Sequence, residues 1–281
     1  MGSRTLEERI ARLPCWRSEI SLVPLKGGLT NLAFVATDGA SRFVVRCGGD
    51  IPAHHIFRER ERAAQRAAHA AGLSPEIVHA ETGILVLRFI DGRTLEEKDL
   101  RADLARIIAL LKTCHREVGR HLQGPANAFW VFHVIRDYVR LVGSNAKYLR
   151  LADRLEAAQV PLPMVFGHHD LLPANIMDDG KRLWLIDWEY GAFGTPLFDL
   201  ANLSANGALD ETQDSTLLAA YFDGAVSPEL RKAFEAMKAA SLLREALWAL
   251  VSDLHLKTPG IDYQAYAKEY FGRLSRNPLF R

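Results

Sequence analysis

Phe166-Gly167-His168-His169-Asp170-Leu171-Leu172-Pro173-Ala174-Asn175, followed by Leu185-Ile186-Asp187-Trp188-Glu189, decides how this 281-residue chain is read. Asp170 and Asn175 are five residues apart, and Asp187 ends an apolar run twelve residues after Asn175. That arrangement suits one chemistry. A loop carboxylate can accept the proton of a substrate hydroxyl while an amide oxygen and a second carboxylate hold Mg²⁺ against nucleotide phosphates. Mg²⁺ prefers hard oxygen ligands and takes few of them from protein, a demand that one Asn and one Asp meet.

Working outward, Asp178-Asp179-Gly180-Lys181 reads as the turn of a β-hairpin between Asn175–Met177 and Leu183–Asp187, and helices are expected from Leu197 to the end. Upstream, Leu22–Leu25 and Leu32–Thr37 read as strands around Lys26-Gly27-Gly28-Leu29-Thr30-Asn31. Asp38-Gly39 signals a hairpin into Arg42–Arg46. A helix is expected from about His55 to Ala71, closed by Gly72, with strands at Ile77–His79 and Gly83–Phe89. Thr94 and Glu97 have the spacing of a capping box, and Leu100, Leu104, Ile107, Ile108, Leu111 and Cys114 recur at helical spacing. A further helix is expected from Ala128 into the 140s. The expected fold class is α+β. A small antiparallel sheet lobe (residues 1–90, nucleotide-binding) is joined to a larger, mainly helical lobe (residues 91–281, catalytic and acceptor-binding).

Composition narrows the function. The formal charge is +1, Lys and Arg are dispersed, and no aromatic–basic interleaving suggests a nucleic-acid surface. Cys15, Cys47 and Cys114 are odd in number and far apart, which indicates neither a disulfide framework nor a zinc site. No apolar run reaches membrane-spanning length, and the charged start lacks a secretory apolar region, so a cytoplasmic location is expected. There is no Walker A pattern and no G-x-S-x-G elbow. Gly27-Gly28 could present backbone N–H groups to phosphate, although such a pair is also an ordinary turn. Arg46 on the next strand and Glu61 on the next helix add weight, since a basic–acidic pair so placed positions phosphates in protein kinases; the alternative is surface charge.

Together these motifs resemble the choline/ethanolamine kinase branch of the aminoglycoside-phosphotransferase-like, protein-kinase-like superfamily, over nearly the whole chain. Gly27-Gly28-Leu29-Thr30-Asn31 resembles the family's nucleotide loop, Arg46 its strand cation, Glu61 its helix carboxylate, and Phe89-Ile90-Asp91-Gly92 the hinge that holds adenine. The resemblance implies a protein-kinase-like bilobal fold using ATP and Mg²⁺, with Asp170 facing the acceptor hydroxyl and Asn175 and Asp187 on the metal. His168 is expected to brace the loop rather than act as a base. His169 stands where choline kinases usually have Asn and aminoglycoside enzymes Gly, and is expected to be a neutral variation.

For the acceptor, the resemblance implies Glu189, Trp248 and Tyr266. The family's paired Trp-x-x-Trp reads Glu245-Ala246-Leu247-Trp248 here, so one aromatic wall is a carboxylate, which suits a primary ammonium unless Glu245 lies on a solvated helix face. The expected partner is a small amino alcohol, choline or ethanolamine, with no nucleic acid, no membrane and the oligomeric state open. Thiamine or an aminoglycoside is the rival acceptor, although the tail Asn277–Arg281 lacks the carboxylates that a polycationic sugar would call for. A non-catalytic nucleotide-binding scaffold is the rival of another class.

Overall fold

The computed structural model describes residues 3–25, 31–143 and 146–280, so Gly27, Gly28 and Thr30 of the nucleotide-loop motif lie outside the described residues. Ile20–Leu25 (β1), Leu32–Asp38 (β2), Ser41–Cys47 (β3), Ile77–Glu81 (β4) and Ile84–Arg88 (β5) form one antiparallel sheet in the order β1-β2-β3-β5-β4. Alternate burial along β2 and β3 puts Phe34, Ala36, Phe43 and Val45 on one apolar face. Gly39, at φ +58°, makes the tight reversal that pairs Asp38 with Ser41. Ser3–Ala11 (α1), not anticipated from so charged a stretch, places Ile10 against this face.

Arg58–Ala70 (α2) begins later than the expected His55. Pro52–His54 instead forms a short helical turn, Ile51 pairs back to Ile56, and His55 adopts a left-handed conformation at φ +61°. The buried Ala64, Ala67 and Ala68 of α2 pack into the apolar cluster of the helical part of the chain. Arg93–Thr94 (β6) is extended because it pairs with Ile176–Asp178 (β8). Thr94 therefore caps nothing, and Glu96 with Asp99 forms the reciprocal capping box of Glu97–Ala102 (α3). Leu104–Thr113 (α4) runs through a π turn, Cys114–Val118, into Gly119–His121 (α5), with Cys114 buried. Val131–Leu141 (α6) starts three residues later than expected, because Ala128 bridges Phe193 and the Phe129 N–H donates to the Phe193 carbonyl, which keeps this segment extended.

Ala146–Ala157 (α7) leads to Val165–Gly167 (β7). β8 and Leu183–Leu185 (β9) make the expected hairpin, and Ala192–Gly194 (β10) returns to pair with β7. β9 stops short of Asp187 because that residue takes φ +66° and leaves the strand conformation. Pro196–Gly207 (α8), Glu211–Tyr221 (α9), the 28-residue Pro228–His255 (α10) and Tyr263–Ser275 (α11) complete the helical part. α10 packs on α6, α8 and α11 through small and aliphatic residues such as Ala236, Ala240, Leu243 and Leu247. No helix among the described residues is long and apolar enough to cross a membrane.

Candidate active site

The loop that carries Asp170 is anchored by one face of α8. Asp199, in the first turn of that helix, is buried and accepts the His168 N–H at 2.8 Å and the His169 N–H at 2.7 Å. Asn202 Oδ1 accepts the Leu171 N–H at 2.6 Å, and Asn206 Nδ2 donates to the Leu171 carbonyl at 3.2 Å. The π turn brings His115 Nε2 to 2.9 Å from Asp199 Oδ2. Burial pushes the Asp199 carboxyl up, but the His115 hydrogen bond and the nearby imidazoles outweigh it and hold the group well below the usual carboxylate range.

The chain reverses at His169, at φ +62°, immediately before Asp170. The buried His169 ring stacks on Phe129 at 4.5 Å and fits between two glycines. A Cβ on either Gly167 or Gly194 would come within 2.7 Å of His169 Nε2. The His168 Nε2 lies 2.9 Å from the Ile186 carbonyl, a bracing contact between the Asp170 loop and the Asp187 segment. The Ile186 N–H donates to the Asn175 carbonyl at 3.0 Å and ties the same two segments together.

Asp170 and Asn175 thus touch, and Asp187 follows on the segment tied to Asn175, close enough for its charge to act on Asp170. Asn175 Nδ2 donates to the Asp170 carbonyl at 2.8 Å and to its Oδ2 at 3.1 Å, which leaves the amide oxygen as the atom a cation would use. Burial pushes the Asp170 carboxyl up to about 7, with the Arg244 charge opposing and the Glu245 and Asp187 charges adding. Asp187 Oδ1 accepts from Arg46 Nη2 at 2.7 Å, and Arg46 Nη1 lies 2.7 Å from Glu61 Oε1. The basic–acidic pair read from the sequence is therefore formed across strand and helix and reaches Asp187. Arg58 joins it, 2.6 Å from Glu61 and 3.2 Å from Glu189. Asn31 lines the same crevice as Arg46, Arg58 and Glu61. Glu189 is buried with these arginines, and burial together with the Asp187 charge raises its carboxyl to about 8. Phe89, with the Arg42 guanidinium 4.1 Å from its ring centre, and Ile90 border a separate cavity of about 590 Å³ shared with His69 and Trp184.

The late aromatic set lies across α10 and α11. The Trp248 ring is 6.0 Å from both Tyr263 and Tyr266, and Tyr266 stacks on Tyr270 at 4.9 Å. Glu245 is not on a solvated helix face, as one reading of the sequence allowed. It is 4 % exposed, accepts from Tyr266 Oη at 2.8 Å and pairs with Arg244 at 2.8 Å. Arg244, missed in the sequence, is fully buried and bonds Asp170 Oδ1 at 3.3 Å while its guanidinium lies 4.4 Å from the Tyr190 ring centre. One cation therefore links Asp170 to the Glu245–Tyr266 end. An adjacent Arg-Glu pair inside the Ala- and Leu-rich stretch 239–249 was the signal available for it. The polar stripe Asp199-Asn202-Asn206 on an otherwise apolar helix was a second such signal.

The sequence profile of the phosphotransferase enzyme family (APH) matches residues 21–238. The chain belongs to that family. A choline/ethanolamine kinase family protein from Mesorhizobium loti has a similar structure, with a TM-score of 0.78, 31 % identity and coverage of 100 % of this chain and 97 % of that one. Protein LicA of Haemophilus influenzae is 26 % identical over 248 residues, 80 % of this chain and 70 % of LicA. Mouse ethanolamine kinase 2 is 26 % identical over 293 aligned positions, 90 % of this chain and 75 % of that one. Within the APH family these likenesses place the chain in the choline/ethanolamine kinase branch, with its protein-kinase-like fold, and make it a small-molecule kinase.

Proposed function

We propose that this APH-family kinase transfers the terminal phosphoryl group of ATP to the hydroxyl of a small amino alcohol, choline or ethanolamine. The observation that carries the reading is the hydrogen-bonded Asp170–Asn175 pair within reach of the Asp187 charge, with Arg46 held between Glu61 and Asp187. In this reading residues 1–90 hold the nucleotide and residues 91–281 hold the acceptor. Gly27, Gly28, Thr30 and Asn31 are assigned to the phosphates by motif, Arg46 neutralises them with Glu61 fixing its position, and the Phe89-Ile90 backbone is assigned to the adenine. The donor set fits Mg²⁺. Asn175 and Asp187 offer hard oxygens, and the Asp187 carboxylate already has the Arg46 cation against it. Held by Asn175 and Asp187, Mg²⁺ would supply positive charge against the negative charge of the nucleotide phosphates.

Asp170 orients the acceptor hydroxyl and takes its proton as the bond to phosphorus forms. Asp199 and Asn202 keep that carboxylate in place by holding the backbone on either side of it. The ammonium head would lie against Trp248 and Tyr266, where each aromatic face contributes about 0.5–2 kcal/mol. Glu245 supplies negative charge there, whereas Glu189, expected at the acceptor, is instead paired with Arg58 and near Arg46.

Measuring ATP turnover against choline, ethanolamine, thiamine and an aminoglycoside tests the proposal. Turnover with choline or ethanolamine supports it, and turnover with thiamine alone replaces the acceptor. Nucleotide binding with no transfer to any acceptor, unchanged in Asp170→Ala, would make the protein a scaffold.

A further inference from the structure

Away from the transfer site, three side chains able to ligate a metal converge from two elements. His133 and Asp137 are one turn apart on α6 and share a face of it. His55 comes from the turn between β3 and α2, held at φ +61° in a conformation that few non-glycine residues adopt. Its Nε2 is 3.0 Å from Asp137 Oδ2, and His133 Nε2 is 3.5 Å from the same oxygen. One ligand atom from each of the three lies within 4.8 Å of the other two. Zinc–ligand bonds of about 2.0–2.1 Å at tetrahedral angles set ligand atoms roughly 3.3 Å apart, so the cluster is close to the spacing an ion imposes.

We propose that His55, His133 and Asp137 form a binding site for a divalent transition ion of the zinc class, with an outward position left for water. Two imidazole nitrogens beside one carboxylate favour such ions over Mg²⁺, unlike the all-oxygen pair of Asn175 and Asp187. The other Asp137 oxygen pairs with Arg140, which orients the carboxylate from behind as partners of metal ligands do.

The site joins the 51–56 turn to α6. The residue before it on that turn, His54, is buried with Nδ1 3.2 Å from Tyr138 Oη, Nε2 3.0 Å from Ser252 Oγ and its ring 5.3 Å from that of Trp248. An ion at His55 therefore fixes the turn that backs the aromatic set. This holds whichever alcohol is the acceptor.

The test is a titration of the untagged, metal-stripped full chain with Co²⁺, followed by visible absorption, with Zn²⁺ as competitor. We expect one ion per chain, an intense tetrahedral-type band that Zn²⁺ removes and excess Mg²⁺ does not, and an unfolding midpoint that rises with the logarithm of Zn²⁺ concentration. His133→Ala removes a side chain that is 63 % exposed, so the fold should persist. That variant should lose at least about tenfold in affinity and the midpoint shift, and Asp137→Asn should do the same. No band with the wild type, or an equal band in His133→Ala, would overturn the assignment.

Discussion

Arg244→Met is the most informative single perturbation of this fold. The guanidinium is buried, and its Nη1 lies 2.8 Å from Glu245 and 3.3 Å from Asp170. A methionine keeps most of the volume and removes the charge. Asp170, already pushed up to about 7, can take a proton near neutrality at little cost. Glu245 then carries most of the penalty as a buried carboxylate without its cation, and breaking such a pair costs about 3–5 kcal/mol. Urea unfolding at neutral pH reads that loss directly. Adding Glu245→Gln removes the orphaned charge yet keeps an acceptor for the Tyr266 hydroxyl, so the double variant should recover at least half of the loss. The Arg244 charge also lowers the Asp170 pKa, so in Arg244→Met the acid limb of the rate profile should move to higher pH. A loss below about 1 kcal/mol, or a double variant no better than the sum of the singles, would refute the reasoning.

Gly194→Ala should destabilise the protein by about 1–3 kcal/mol, because the new Cβ meets His169 Nε2 at 2.7 Å and the Phe129 carbonyl at 3.0 Å; thermal denaturation checks this, and an unchanged midpoint contradicts it. His54 is buried neutral, its pKa pushed down by burial from an ordinary 6.5 to about 3. The unfolded chain therefore binds the proton first, and stability should fall as pH drops from about 6.5 to about 3, a slope that His54→Asn should flatten and that parallel profiles would contradict. Glu245→Gln should weaken ethanolamine more than choline in KM measurements, and equal effects would remove Glu245 from acceptor recognition.

Much of the site was legible because its chemistry is local. Asp170, Asn175 and Asp187 sit on short segments, and the alternating apolar pattern of β2 and β3 announced the sheet that carries Arg46. Hidden features depend on distant partners. The late start of α6 follows from a bridge between Ala128 and Phe193, and the failed Thr94 cap follows from pairing with β8. Arg244 reaches a carboxylate 74 positions away, a contact no local pattern encodes. His55 meets α6 only because the chain breaks its expected helix with a left-handed residue. His169 looked like a neutral variation, yet two glycines and Phe129 are fitted around its ring.

Phosphoryl transfer by Asp170→Asn, measured beside ATP affinity on the same preparation, tests the central claim most directly. Loss of the carboxylate should lower transfer to choline or ethanolamine by about 10²–10⁴-fold and leave nucleotide binding unchanged. A variant that transfers at the wild-type rate would contradict the account.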